Sequence, residues 1–173
     1  MDTEALRALQ APIKQRYKDE PAAAVVTLTA SGRLDDPKGL SCSVDTGRAL
    51  VKAGLHPASG GDGSLACSGD MLLQALVACA GVTLRAVATA IGVPLRGGSV
   101  SAEGDLDFRG TLGVDRDAPV GFKNIRLRFD VDSDATGEDL ATLQKLTERY
   151  CVVYQTLASG VRPHVEFRSE RAV

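Results

Sequence analysis

The chain reads as an α+β protein, with two long central helices packed against antiparallel sheets. Three features carry that expectation. The segment NIRLRFDVD (residues 124–132) alternates, Ile125, Leu127, Phe129 and Val131 against Asn124, Arg126, Arg128 and Asp130, as a sheet with one buried face requires. Residues 71–91 are apolar on nearly every face, which marks a helix surrounded by protein. Residues 138–158 place Leu140, Leu143, Leu146, Tyr150, Val153 and Leu157 along one helical stripe.

The remaining elements follow in order. Residues 4–18 form a short amphipathic helix through Leu6, Leu9 and Ile13, interrupted by Pro12. Residues 1–23 are thus a helical N-terminal extension, and 24–173 make one domain, near the usual size for a single core. AVVTLTA (24–30) is β-branched and reads as a strand, SGRLDDPKG (31–39) as a turn, and LSCSVD (40–45) as the returning strand of a hairpin. HPASGGDGSLACSGD (56–70) is a Gly/Ser-rich loop. Ser68 suits the N-cap of the first long helix, Asp70 lies in its first turn where negative charge favours the helix dipole, and Gly92 with Pro94 ends it. Strands occupy 97–131 around a Gly-containing link, and HVEFR (164–168) reads as a closing strand.

Composition removes several classes of function. Hydrophobic residues make up 44% and charged residues 24%, both globular values. The net charge of −2 is scattered, so the basic stripe that nucleic acid demands is missing, and 4% aromatics without Trp provide no base-stacking platform. The N-terminus mixes both charge signs and has no continuous apolar run, unlike a secretory signal. The run Met71–Leu84 is interrupted by Gln74, followed by Arg85, and falls short of the roughly 20 apolar residues of a membrane span. A soluble, cytoplasmic protein is the expectation, with no nucleic acid and no membrane as partner.

Chemistry then rests on four cysteines: Cys42, Cys67, Cys79 and Cys151. No C-x-x-C pair occurs and only two histidines are present, so neither a metal site nor a cofactor is expected. A cysteine in an apolar helix is ordinarily a small inert core residue with a raised pKa. Two of them, one on each of two long helices, can also approach within disulfide range, Cα atoms roughly 4.4–6.8 Å apart. The residues alone leave both readings open. Other candidates read as structure: Cys42 as packing, His56 before Pro57 as a loop histidine rather than a base for Cys79, Glu148 and Arg149 as a surface ion pair, and SGGDGS (59–64) as a flexible loop without the G-K-[ST] of a phosphate cradle.

GDMLLQALVACAGVTLRAVA, followed much later by RYCVVYQTL, resembles the OsmC/Ohr family of osmotically inducible and organic hydroperoxide resistance proteins. The resemblance covers most of the chain. It implies an intertwined homodimer with sites at the interface, and a thiol-dependent peroxidase that reduces organic hydroperoxides, sometimes hydrogen peroxide, at the expense of an external dithiol. It also implies that Cys79 is the reactive thiol, Cys151 the resolving thiol, Arg33 the guanidinium that keeps the thiolate charged, and Asp70 the carboxylate that orients it. The alternative is a non-catalytic member that binds a small apolar or thiol-bearing ligand. Here Val152 follows the second cysteine where relatives commonly have proline, and Gly69 stands where they usually have glutamate. Nine residues separate Asp70 from Cys79, which puts them about 13 Å apart along one helix and on opposite faces, so a shared site needs two subunits. Tyr150 and Tyr154 read as fillers of the core or the dimer seam, and Leu72, Val82 and Val153 as an apolar lining for the substrate.

Overall fold

A computed structural model describes residues 2–5, 8, 11, 19, 50–113 and 115–168, and the backbone alone of 31–33 and 41–45. Residues 3–5, 8, 11 and 19 are helical, and the rest of the helix expected over 4–18 lies outside the described residues. The strand expected at 24–30 and the domain boundary after residue 23 lie outside the described residues.

Strands β1 (Ser31–Arg33), β2 (Ser41–Asp45), β3 (Leu50–Gly54) and β4 (Ala66–Cys67) form one sheet in that order; β1–β2 and β2–β3 are antiparallel, β3–β4 parallel. The expected hairpin is therefore present, but Ser31–Arg33 belong to its first strand rather than to the turn, because they pair with Asp45, Val44 and Ser43. Strands β5 (Gly97–Leu106) and β6 (Phe122–Asp132) form a separate antiparallel ribbon, with Gly97 opposite Asp132 and Val100 opposite Phe129. Its inward residues are the predicted ones: Ile125, Leu127, Phe129 and Val131 are half-buried, and the residues between them are exposed.

Helix α1 (Ser68–Ile91) is the element on which the rest is assembled, in contact with β5 and both C-terminal helices. Its N-cap is Cys67, not Ser68. Pairing of Cys67 with Gly54 holds that residue extended, so Ser68 is already the first helical residue. At the other end Gly92 takes φ 76°, its N–H reaches Thr89, and the Val93 N–H reaches the Ala88 carbonyl at 2.9 Å. That closure satisfies the last carbonyls only with a left-handed residue. Nothing lies within 4 Å of a Cβ built at Gly92, so Gly92→Ala tests backbone strain alone. The expected cost is about 1 kcal/mol, read as a lowered midpoint in thermal or urea unfolding.

By length and composition α1 is apolar enough to cross a membrane, unlike the shorter run judged from the sequence, yet here it lies at the centre of the fold. A single chain covers only one of its faces, contrary to the expectation of a helix enclosed all round. Leu76, Ala80, Leu84, Val87 and Ala88 are buried, whereas Val82 is 72% exposed. Leu84, Val87, Ala88, Val93 and Leu143 make the core, with Phe129, Val131, Leu140 and Leu146 against it.

A short helix, α2 (Phe108–Thr111), occupies the link between β5 and β6. The stretch expected as one helix over 138–158 is two. Helix α3 (Gly137–Tyr150) starts at a Thr136 cap, whose hydroxyl accepts the Asp139 N–H, and α4 (Val152–Ser159) follows after a break at Cys151. Tyr150 leaves the apolar stripe because the chain turns directly after it; the ring is exposed, with the Arg149 guanidinium 5.5 Å from its centroid. Residues 161–168 form no strand and are exposed throughout, so the closing strand expected at 164–168 finds no partner among the described residues.

Candidate functional site

Cys79 and Cys151 meet where α1 crosses the break between α3 and α4. Cys79 lies between the buried Leu76 and Ala80 on the face of α1 turned to these helices, and is half-buried; Cys151 is 1% exposed. Both are free thiols, close enough that each shifts the acidity of the other.

The break supplies the surrounding dipoles. Cys151 has φ −74° and ψ 109°, an extended conformation inside an otherwise helical run. Its N–H still reaches Thr147 at 2.9 Å and its carbonyl accepts the Gln155 N–H at 2.9 Å, so one residue both ends α3 and begins α4. The first N–H groups of a helix have no intrahelical acceptor. In α4 those of Val152 and Val153 lie near enough to Cys79, and those of Val153 and Tyr154 to Cys151, to lower the pKa of each thiol.

These contacts separate the two thiols in acidity. Burial pushes Cys79 up, but hydrogen bonds from the Val153 N–H, the Cys151 thiol, the Val152 N–H and the Thr83 hydroxyl outweigh it, and the thiol titrates below its ordinary value. Cys151 moves the other way. Burial pushes it up, the Tyr154 N–H pulls it down, the bond to Cys79 and the negative charge there push it further up, and the Val153 N–H does not offset them. Cys79 is thus the sulfur that ionises first, and Cys151 the one that keeps its proton. The positive end of a helix is a recognised way to depress a thiol pKa. The geometry predicts that iodoacetamide labels Cys79 with a midpoint below that of a free thiol, the rate falling as pH drops through it, while Cys151 reacts only at higher pH. Peptide mapping across a pH series checks this; a reversed order of labelling would contradict it.

Beside the pair lies a cavity of about 460 Å³ between β6, α1 and the two C-terminal helices. Leu76, three residues before Cys79, lines it, as do Glu148 and Tyr154, three residues either side of Cys151; Phe122, Leu127 and Phe129 form the apolar wall. Tyr154, assigned from its sequence to packing, belongs to this lining. Its place depends on the break, which no spacing rule reveals. The lining expected from Leu72 and Val82 is not there, since both are exposed, and Val153 is half-buried without lining this cavity.

Of the other predicted residues, Asp70 stands apart from the thiols. Asp70 is exposed in the first turn of α1 and borders cavities lined by Leu73, Gln74 and Val77 and by His56 and Cys67, neither of which includes Cys79. Arg33 ends β1 opposite Ser43, and its side chain lies outside the described residues, as does that of Cys42. Among the described residues, the groups on the Cys79 sulfur are neutral dipoles. His56 serves structure: its Nδ1 accepts the Ala58 N–H at 3.1 Å and its ring stacks on Phe108 at 5.1 Å. Glu148 accepts from the Gln144 amide, and Arg149 covers Tyr150, in place of the ion pair expected between them.

A family model described as OsmC-like protein matches residues 61–166. Solved structures share the fold at low identity. An OsmC-like protein from Mycoplasma pneumoniae superposes with a TM-score of 0.63 at 16% identity, over 77% of this chain and 88% of that one. An organic hydroperoxide resistance protein OsmC from Legionella pneumophila gives 0.60 at 15%, over 77% and 91%. One from Elizabethkingia anophelis, with thiocyanate bound, gives 0.59 at 15%, over 77% and 89%. No curated protein gives a significant match.

Proposed function

The chain belongs to the OsmC-like family, and from that premise we propose that it is a thiol-dependent peroxidase acting on organic hydroperoxides. The single observation that carries the reading is the Cys79 thiol, set beside a second thiol at the first turn of α4, whose Val153 and Val152 N–H groups help to lower its pKa. Attack on a peroxide requires a thiolate, and capture of the product requires a neighbouring thiol. The names of the Legionella and Elizabethkingia neighbours point the same way.

In the proposed cycle the Cys79 thiolate attacks one peroxide oxygen and the O–O bond breaks. The departing alkoxide takes a proton and leaves as ROH, and Cys79 becomes a sulfenic acid. The Cys151 sulfur then attacks Cys79, water departs, and a disulfide joins them. An external dithiol reduces that disulfide and returns both thiols. The apolar wall that Phe122, Leu127 and Phe129 give the cavity beside the pair favours an organic substituent over hydrogen peroxide.

The site is further proposed to be completed in a soluble, cytoplasmic homodimer. Val82 on α1 is 72% exposed, and the C-terminal segment alternates the exposed Val161, Val165 and Phe167 with polar residues but pairs with no strand among the described residues. A second copy would cover both. It would also let Asp70 of one subunit reach the thiols of the other, which sharing one helix with Cys79 forbids within a single chain. Light scattering checks the assembly: a monomer with full activity would remove this part of the proposal.

One equivalent of cumene hydroperoxide should convert the reduced protein to a form two hydrogens lighter, with Cys79 and Cys151 peptides joined. Without that crosslink, and with no peroxide consumed, the large apolar cavity would favour a ligand-binding protein instead.

A further inference from the structure

The break at Cys151 is the feature on which the reactive thiol depends, and nothing covalent enforces it. Residue 152 is valine, which can continue a helix; proline, which prevents helical continuation through its missing N–H, is absent there. The Cys151 N–H keeps its bond to the Thr147 carbonyl; an uninterrupted helix would next have the Glu148 carbonyl accept the N–H of Val152, four residues on. Here the extended Cys151 takes the Val152 N–H out of the helical ladder, and the Glu148 carbonyl accepts the side-chain amide of Gln155 at 2.8 Å. The Gln155 backbone N–H meanwhile bonds the Cys151 carbonyl at 2.9 Å. One glutamine thus ties the end of α3 to the start of α4, from both its main chain and its side chain.

We propose that Gln155 is a positioning residue: its amide replaces the helical bond lost at Glu148, holds the break at Cys151, and so keeps the first turn of α4 aimed at the Cys79 sulfur. It touches neither thiol. The inference deepens the peroxidase reading and rests on it only for the use made of the thiolate. Without the amide donor, the Glu148 carbonyl regains Val152 as its available partner. The run from 137 to 159 can then straighten, which withdraws two N–H groups from Cys79.

The test is the pH midpoint of Cys79 ionisation, followed by thiolate ultraviolet absorbance and by iodoacetamide labelling with peptide mapping. Gln155→Met and Gln155→Leu remove the donor and keep a comparable side-chain bulk. Each is expected to raise the midpoint by about half a unit to one unit, and so to slow labelling at neutral pH roughly threefold to tenfold. Thr156→Ala is the control. It deletes another side-chain bond of α4, from the Thr156 hydroxyl to the Val152 carbonyl at 2.9 Å, without touching Glu148. Its midpoint should match wild type. An unchanged midpoint in whichever Gln155 variant folds, or an equal shift in Thr156→Ala, overturns the inference. The readout needs no peroxide, so an enzyme that proves inactive leaves it decidable.

Discussion

Cys79→Ser should reduce hydroperoxide consumption by at least about a thousandfold, the scale of loss when a sole nucleophile is removed. A serine hydroxyl keeps its proton at neutral pH, and the dipoles that depress a thiol cannot bring it to an anion. The same substitution should barely disturb folding, because Cys79 is half-buried and the two side chains are similar in size. Cys67→Ser is the matched comparison. Cys67 caps the N-terminal end of α1, twelve residues before Cys79, in a cavity with His56 and Asp70, and its substitution should keep wild-type activity. The measurement is loss of cumene hydroperoxide with a small dithiol as reductant. Activity that survives Cys79→Ser and falls with Cys67→Ser would move the chemistry to the wrong end of the helix.

The parts of the fold that could be read in advance are those in which local pattern and tertiary environment agree. β6 is one: a ribbon with one wet face leaves an alternation that Ile125 to Val131 display plainly. The end of α1 is another, because Gly92 is needed at a positive φ whatever packs around it. The break at Cys151 was hidden for the opposite reason. Leu146, Val153 and Leu157 keep helical spacing across it, no Gly or Pro marks it, and it is held by a contact to Cys79 on another helix and by the Gln155 side chain. The cavity was hidden likewise, since Phe122 and Tyr154 come together from elements distant in the chain. The pairing of Cys79 with Cys151 came from resemblance rather than from spacing. The tail is an intermediate case: residues 161–168 have a strand's alternation, but the pattern does not say which chain supplies the neighbour.

Cys151→Ser should leave the first attack on peroxide intact and abolish the disulfide. Sulfenic acid on Cys79 then has no adjacent thiol, so it should be trappable by dimedone and, under excess peroxide, pass irreversibly to the sulfinic form. Activity is expected to decay within a few turnovers where wild type continues. The acidity of Cys151 explains why wild type escapes. In the reduced protein Cys151 holds its proton, raised first by burial and then by its bond to Cys79 and the charge there. Oxidation turns that anion into a neutral sulfenic acid and removes the last two contributions, while the N–H groups of Tyr154 and Val153 still pull downward. Cys151 therefore becomes a better nucleophile only after Cys79 has reacted, which orders the two steps. Cys79→Ser mimics the loss of charge without the oxidation. In that variant the thiolate absorbance of Cys151 should appear at lower pH than in wild type; an unchanged or higher midpoint would show that burial alone controls it.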